Sequence, residues 1–279
     1  MIYEGYTGIR VATDRGVAFV TLDNPPINLL DLPLIIDLDR VGRELEADPT
    51  VKVVVLQSAN PDFFVAHADV TLIQQMPADL PPRAETLGTF HAMVDRFRTM
   101  PKATIAKIEG RCRGGGSELA LSCDMRFAAR GTAVLGQPEV AVGIIPGGSG
   151  CARLPRLVGR GRALEIILGC GDFSADVAER YGYVNRALPP EEITPFVNTL
   201  AYRIATFPAE AIALAKEAVA MADTGIEDAL VREEQLFLQA VHTDGARQRM
   251  AAAMAGGLQT PEMEKLCFDD IWGPLAEGR

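Results

Sequence analysis

Three consecutive glycines, Gly114-Gly115-Gly116, followed by Ser117-Glu118 and the run Leu119-Ala120-Leu121-Ser122-Cys123-Asp124, limit this chain more than any other stretch. Glycines leave their N–H groups unshielded, and the apolar run after them reads as a buried helix whose N-terminus carries partial positive charge. Such a backbone can present bare amides to an oxyanion. Glu118 falls in the first turn of that helix, within reach of proton transfer to whatever the amides hold, although a Glu there often only complements the helix dipole. No Lys-Ser or Lys-Thr pair follows the glycines and the dinucleotide spacing is missing, which disfavours a nucleotide phosphate at this loop.

The elements on either side alternate. Val17 to Leu22 reads as a strand stopped by Asn24-Pro25-Pro26, and Asp31 reads as a helix N-cap. Leu34, Leu38, Val41 and Leu45 place apolar side chains on one helical face, and Val51 to Leu56 is a β-branched run suited to a strand buried on both sides. A helix over Arg83 to Met100, a buried strand over Ala103 to Ile108 and short strands over Met125 to Ala129 and Ala133 to Leu135 continue the pattern. The fold class expected is therefore α/β. After about residue 150 helices dominate, over Arg160 to Leu168, Ala175 to Tyr181, Ile193 to Ala205, Ala209 to Met221 and Ile226 to Val241. This predicts a core over residues 1–199 and a helical region over 200–279 that serves as a cap or assembly surface.

Composition removes several function classes. A net charge of −10 argues against a general nucleic-acid binder, and 48% hydrophobic residues over 279 positions support a sizeable interior. The five cysteines form no Cys-x-x-Cys pair and the three histidines, His67, His91 and His242, are scattered, so neither a disulfide frame nor a His-rich metal site is expected. The first sixteen residues carry charges and glycines where a secretion signal needs an apolar core, and no run long enough to span a membrane occurs. A cytoplasmic protein is the expectation.

A second carboxylate stands out in Gly136-Gln137-Pro138-Glu139, ahead of Ile145-Pro146-Gly147-Gly148, where rigid turns can fix Glu139 against a pocket or leave it as a solvated loop residue. Together with Asn24-Pro25-Pro26, Asn28 and Phe64-Val65-Ala66-His67-Ala68-Asp69, these segments resemble the crotonase, or enoyl-CoA hydratase/isomerase, superfamily over most of the chain. The resemblance implies a spiral of ββα turns with a helical C-terminal region, assembled as a homotrimer or a dimer of trimers. It implies an acyl-CoA thioester as substrate, with its carbonyl between the Ala68 and Gly115 amides, and Ala66, His67 and Asp69 beside the substrate. No separate cofactor is implied, because coenzyme A belongs to the substrate.

Most like an enoyl-CoA hydratase, the chain is expected to add water to a 2-enoyl-CoA, giving a 3-hydroxyacyl-CoA. The resemblance makes Glu118 and Glu139 the pair that holds and activates water, with Gly147 as a third contact, Glu139 giving the proton to C2 and Glu118 orienting the water. Double-bond isomerisation, racemisation, decarboxylation and thioester hydrolysis reuse the same oxyanion hole, and a silent acyl-CoA-binding scaffold keeps the same fold.

The chain departs from the family pattern at His67, where a small residue is usual, and in lacking a lysine soon after Asp69 for the CoA phosphates. His67 is read as steric, structural or titrating near neutrality. Arg111 and Arg113 offer substitute charges, or are only solvated. Arg153 and Arg156 are expected to be structural, and Cys112 and Cys123 to serve packing.

Overall fold

The computed structural model describes residues 2–76, 79 and 85–266. A six-stranded sheet runs in the order β1 (Ile9–Asp14), β2 (Val17–Leu22), β3 (Val53–Ser58), β5 (Ala103–Ile108), β7 (Met125–Ala129) and β10 (Arg186–Leu188). A smaller sheet runs β4 (Phe63–Val65), β6 (Arg111–Arg113), β8 (Val134–Gly136) and β9 (Phe173–Ser174). Among the described residues one edge pair of each sheet, β1 with β2 and β8 with β9, is antiparallel, and the other pairs are parallel.

Each turn of the chain lays one strand in the large sheet, one in the small sheet and then a helix. β3 and β4 lead to α2 (Val70–Gln74) and α3 (Thr89–Thr99); β5 and β6 lead to α4 (Gly115–Leu121); β7 and β8 lead to a 3₁₀ turn (Glu139–Val142) and α5 (Gly150–Val158). This is the crotonase-like spiral of ββα turns.

The β-branched content of β3 is explained by its position between β2 and β5, where Val53, Val54, Val55 and Leu56 are all buried. α1 (Leu32–Ala47) starts where Asp31 Oδ1 accepts the Leu34 amide at 2.9 Å, and it buries Leu34, Leu38, Val41 and Leu45 against the main core.

α6 (Arg160–Gly169) and α7 (Ala175–Tyr181) follow, and then α8 (Pro190–Ala205) packs on β3, β5 and β7. The expected boundary at residue 200 falls inside α8, whose Ile193, Val197, Ala201 and Ala205 belong to the main core. Beyond it come α9 (Ala209–Ala220), α10 (Ile226–Val241), α11 (Asp244–Ala255) and the short α12 (Pro261–Glu264). α11 meets α2 through a second apolar cluster that includes Val70, Ile73, Met250 and Leu258. Among the described residues no helix is long and apolar enough to cross a membrane. The expected helix over Arg83 to Met100 begins at Thr89, and Arg83 and Cys267 lie outside the described residues.

Candidate active site

Strands β4, β6 and β8 are parallel neighbours, so the residues that follow their C-terminal ends emerge side by side. Those residues are Ala66-His67-Ala68, Gly114-Gly115 and Gln137-Pro138-Glu139. Asn28 pins the first of these strands: held at φ +50°, it donates through Nδ2 to Ser58 Oγ at 2.8 Å, Phe63 O at 3.2 Å and Phe64 O at 3.1 Å. Leu30 then brackets Ala68, donating to His67 O and accepting from the Asp69 amide, both at 3.0 Å. Among the described residues neither the Ala68 nor the Gly115 amide has a protein acceptor.

The glycines are required by proximity. A Cβ on Gly116 would lie 2.5 Å from Val65 Cβ and 2.7 Å from Val65 O, so the first turn of α4 presses directly on β4. One on Gly115 would lie 3.4 Å from the Ala68 nitrogen, which puts both free amides on the same rim.

Glu118 is buried in α4, and its Oε1 accepts the Gly148 amide at 2.7 Å and the Gly150 amide at 2.8 Å. Burial and the nearby charge of Glu233 push its carboxyl up to about 7, against the pull of the two amides and His91. Glu139 is also buried, and burial together with the Glu118 charge holds its carboxyl well above the ordinary carboxylate range. In the amide orientation that satisfies its neighbours, Gln137 donates to Glu139 Oε2 at 3.1 Å and Oε1 at 3.2 Å.

Glu118 and Glu139 face one cavity of about 170 Å³, whose wall also includes Ala68, Asp69, Gly115 and Gly147. Apolar side chains from α1, α2, α3, α10 and the adjoining loops cover much of the remainder, among them Ile35, Leu72, Phe90 and Phe237, and His91 also reaches the wall. Two buried acids, both raised above the ordinary carboxylate range and set above free backbone donors in a mostly apolar space, can move protons to and from a bound carbonyl compound.

A sequence model described as enoyl-CoA hydratase/isomerase matches residues 12–255. The chain belongs to the enoyl-CoA hydratase/isomerase family. The short-chain-enoyl-CoA hydratase of Clostridium acetobutylicum is 34% identical over 85% of this chain and 90% of its own. The crotonyl-CoA hydratase of Syntrophomonas wolfei is 33% identical over 88% of this chain and 95% of its own. A solved Streptomyces avermitilis protein, provisionally called an enoyl-CoA hydratase, superposes with a TM-score of 0.88 at 35% identity, covering 98% of this chain and 100% of that one.

Within this enoyl-CoA hydratase/isomerase member, the expected residues have distinct surroundings. Ala66 is buried with Ile27 and Phe63, away from the cavity wall. Gly147 lines the cavity, and its neighbours Gly148 and Gly150 supply the amides that hold Glu118. His67 lines a smaller adjoining space with Glu139 and Leu258. Arg113 is a buried structural cation, paired with Asp172 through Nε at 2.8 Å and Nη2 at 2.5 Å, and Arg111 donates to Lys265 O. Arg113 is therefore committed inside the fold and does not supply a surface charge for phosphate.

Arg153 pairs with Asp95 at 2.6 Å and Arg156 donates to Ala152 O, both structural as expected. Cys112 and Cys123 are buried and their thiols are pushed up by burial, which suits packing.

Sequence reasoning missed Glu233 and His91. Glu233 Oε1 accepts the Ser149 amide and Oε2 the Ala152 amide, each at 2.5 Å, while His91 Nε2 lies 3.2 Å from Oε1. The one signal was position: Glu233 interrupts the stripe Ile226, Leu230, Phe237 and Val241, whose helical spacing points inward.

Proposed function

We propose that the protein is an enoyl-CoA hydratase, a hydro-lyase that adds water across the double bond of a 2-enoyl-CoA to give a 3-hydroxyacyl-CoA. The observation that carries this reading is the pairing of Glu118 and Glu139 in one cavity, over the free Ala68 and Gly115 amides. In the proposed reaction the thioester oxygen rests between those amides. Negative charge grows on it as water attacks C3, and each fixed donor contributes about 3 kcal/mol to the rate.

Glu118, poised near neutrality, removes a proton from the attacking water. Glu139, kept as the acid by burial and by the Glu118 charge, delivers a proton to C2 from the same face. The cycle leaves Glu118 protonated and Glu139 ionised, and a proton passes back between them before the next turnover. Gly147 provides a further contact for the water, and Asp69 faces the substrate from the wall. The chemistry as proposed uses no cofactor beyond the coenzyme A of the substrate.

Crotonyl-CoA and other short 2-enoyl chains are the proposed substrates, supported by the names of the relatives above. A homotrimer or dimer of trimers in the cytoplasm is proposed as the working form. α9 supports assembly, because it buries no residue within the chain and leaves Leu214 64% and Val219 75% exposed.

Incubation of the purified protein with crotonyl-CoA and longer enoyl-CoAs tests the reading. Hydration to the 3-hydroxyacyl product is expected, with Glu118→Gln and Glu139→Gln each losing about 100-fold or more in kcat while CoA-ester affinity is retained. Binding without turnover at every chain length would favour a silent scaffold instead.

A further inference from the structure

The two loops that carry the free amides are joined by a residue about 150 to 200 positions away in sequence. His67, directly before Ala68, places Nε2 3.0 Å from Glu264 Oε1. Arg113, two residues before Gly115, donates through Nη1 to Glu264 O at 2.9 Å and lies 3.9 Å from Glu264 Oε2. Glu264 is itself fully buried.

The same segment grips the residues after Ala68. Gln259 Oε1 accepts the Val70 amide at 2.7 Å, and Gln259 Nε2 donates to Asp69 Oδ1 at 3.0 Å. Gln259 adopts φ +72°, a left-handed conformation strained for a non-glycine residue, and its own amide donates to Glu264 Oε1 at 2.8 Å. Thus His67, Asp69 and Val70 are all held by residues 259–264, while the Ala68 amide between them stays free.

We infer that residues 259–264 form an internal yoke that fixes the Ala68 and Gly115 amides relative to each other, with Glu264 and Gln259 as positioning residues for the oxyanion site. The inference rests on the proposed function for what the amides bind. Its physical basis is that preorganised donors lose effect when the loops bearing them can relax, and a displacement of about 1 Å is enough to cost about 100-fold in rate.

The state of His67 follows from its partners. Nδ1 lies 2.7 Å from Ala68 O and Nε2 faces the Glu264 carboxylate, so both nitrogens meet acceptors and the ring is satisfied as the doubly protonated cation. Although burial opposes that charge, Glu264 holds His67 above its ordinary value. The charged groups facing it are Glu264 from α12 and Arg113 from β6, backed by Asp172, with Glu139 across the small adjoining space.

The full-length protein and its Glu264→Gln, Glu264→Ala and Gln259→Ala variants test the yoke by two readouts. One is kcat and KM for crotonyl-CoA; the other is the infrared carbonyl stretch of a bound, unreactive CoA thioester, which reports polarisation directly. We expect kcat to fall about 10- to 100-fold with KM changed less than about threefold, and the carbonyl shift seen in wild type to shrink in parallel. Glu264→Gln keeps the volume, so folding by circular dichroism is preserved even where Glu264→Ala fails to fold. Wild-type kcat and a wild-type carbonyl shift in Glu264→Gln and Gln259→Ala would overturn the yoke alone. A wild-type protein that binds the thioester with no carbonyl shift would instead overturn the proposed function, and the yoke's catalytic purpose with it.

Discussion

His91 and Glu233 form a buried pair, Nε2 to Oε1 3.2 Å, and the same Glu233 oxygen holds the Ser149 amide between the two amides that grip Glu118. Four amides of one turn are thereby divided between two carboxylates: Gly148 and Gly150 donate to Glu118, and Ser149 and Ala152 donate to Glu233. The orientation of Glu118 and its proton affinity are consequently set together.

Replacing His91 with Gln keeps a hydrogen bond to Glu233 but removes the cation that offsets it. The Glu233 charge is then opposed only by the Gly148 and Gly150 amides and raises the Glu118 carboxyl beyond about 7. The acid limb of the kcat/KM profile is expected to move to higher pH. An unchanged limb in His91→Gln would show that the pair serves packing alone.

Burial of the Glu118 carboxyl also makes stability depend on pH. The carboxyl rises from 4.5 to about 7 on folding, so the folded state favours the protonated form. The associated stability is fully present below about 4.5 and is lost as pH rises through about 7, a difference of up to about 3 kcal/mol. Glu118→Gln should therefore be more stable than wild type at alkaline pH and nearly equal to it at acidic pH, even as turnover collapses. Thermal melting at the two extremes checks the sign.

Two glycines should respond in opposite ways to alanine. A Cβ on Gly116 would meet Val65 O at 2.7 Å, forcing α4 away from β4 at the base of the amide pair. Gly116→Ala is expected to cost about 1–3 kcal/mol and to lower kcat. Gly161, in α6, has open space around its Cβ, and Gly161→Ala should be neutral or stabilising by up to about 1 kcal/mol. Urea denaturation of both variants gives the comparison.

His67 and Glu264 define a pH window. Glu264 charge and hydrogen bonding hold His67 above its ordinary value despite burial, so its contribution is complete below about 6.5 and fades as pH rises through the raised value. Glu264 is held below its ordinary value by His67 despite its own burial, so its contribution is complete above about 4.5 and fades as pH falls through the lowered value. The pair is strongest between those limits. Melting temperatures of wild type and Glu264→Gln should differ most in mildly acidic buffer and converge in strong alkali.

Much of the spiral was legible along the chain because its strands are buried on both faces. Val17–Leu22, Ala103–Ile108 and Met125–Ala129 are strands with the predicted limits, and α7 and α10 also match theirs. Of the strands of three residues or fewer, β8 was anticipated as Ala133 to Leu135, but β4, β6, β9 and β10 went unseen because periodicity hardly registers over such a length, and six-residue β1, with only Ile9 buried, was also missed. These include the strands whose ends deliver Ala68 and Gly115.

The sequence by itself marked the candidates for the chemistry. Its glycine run points locally to Gly115 and Glu118, because bare amides and a first-turn acid are local properties of the chain, while Ala68 and Glu139 were marked through the motifs that carry the family resemblance. Only the tertiary structure decided what tunes and holds them. Glu233 and His91 reach Glu118 from α10 and α3, and Glu264 and Gln259 reach the amide loops from the far end of the chain. Hydrogen bonds and burial act over a few ångströms, and no pattern in a linear sequence records which residues separated by more than a hundred positions will come that close.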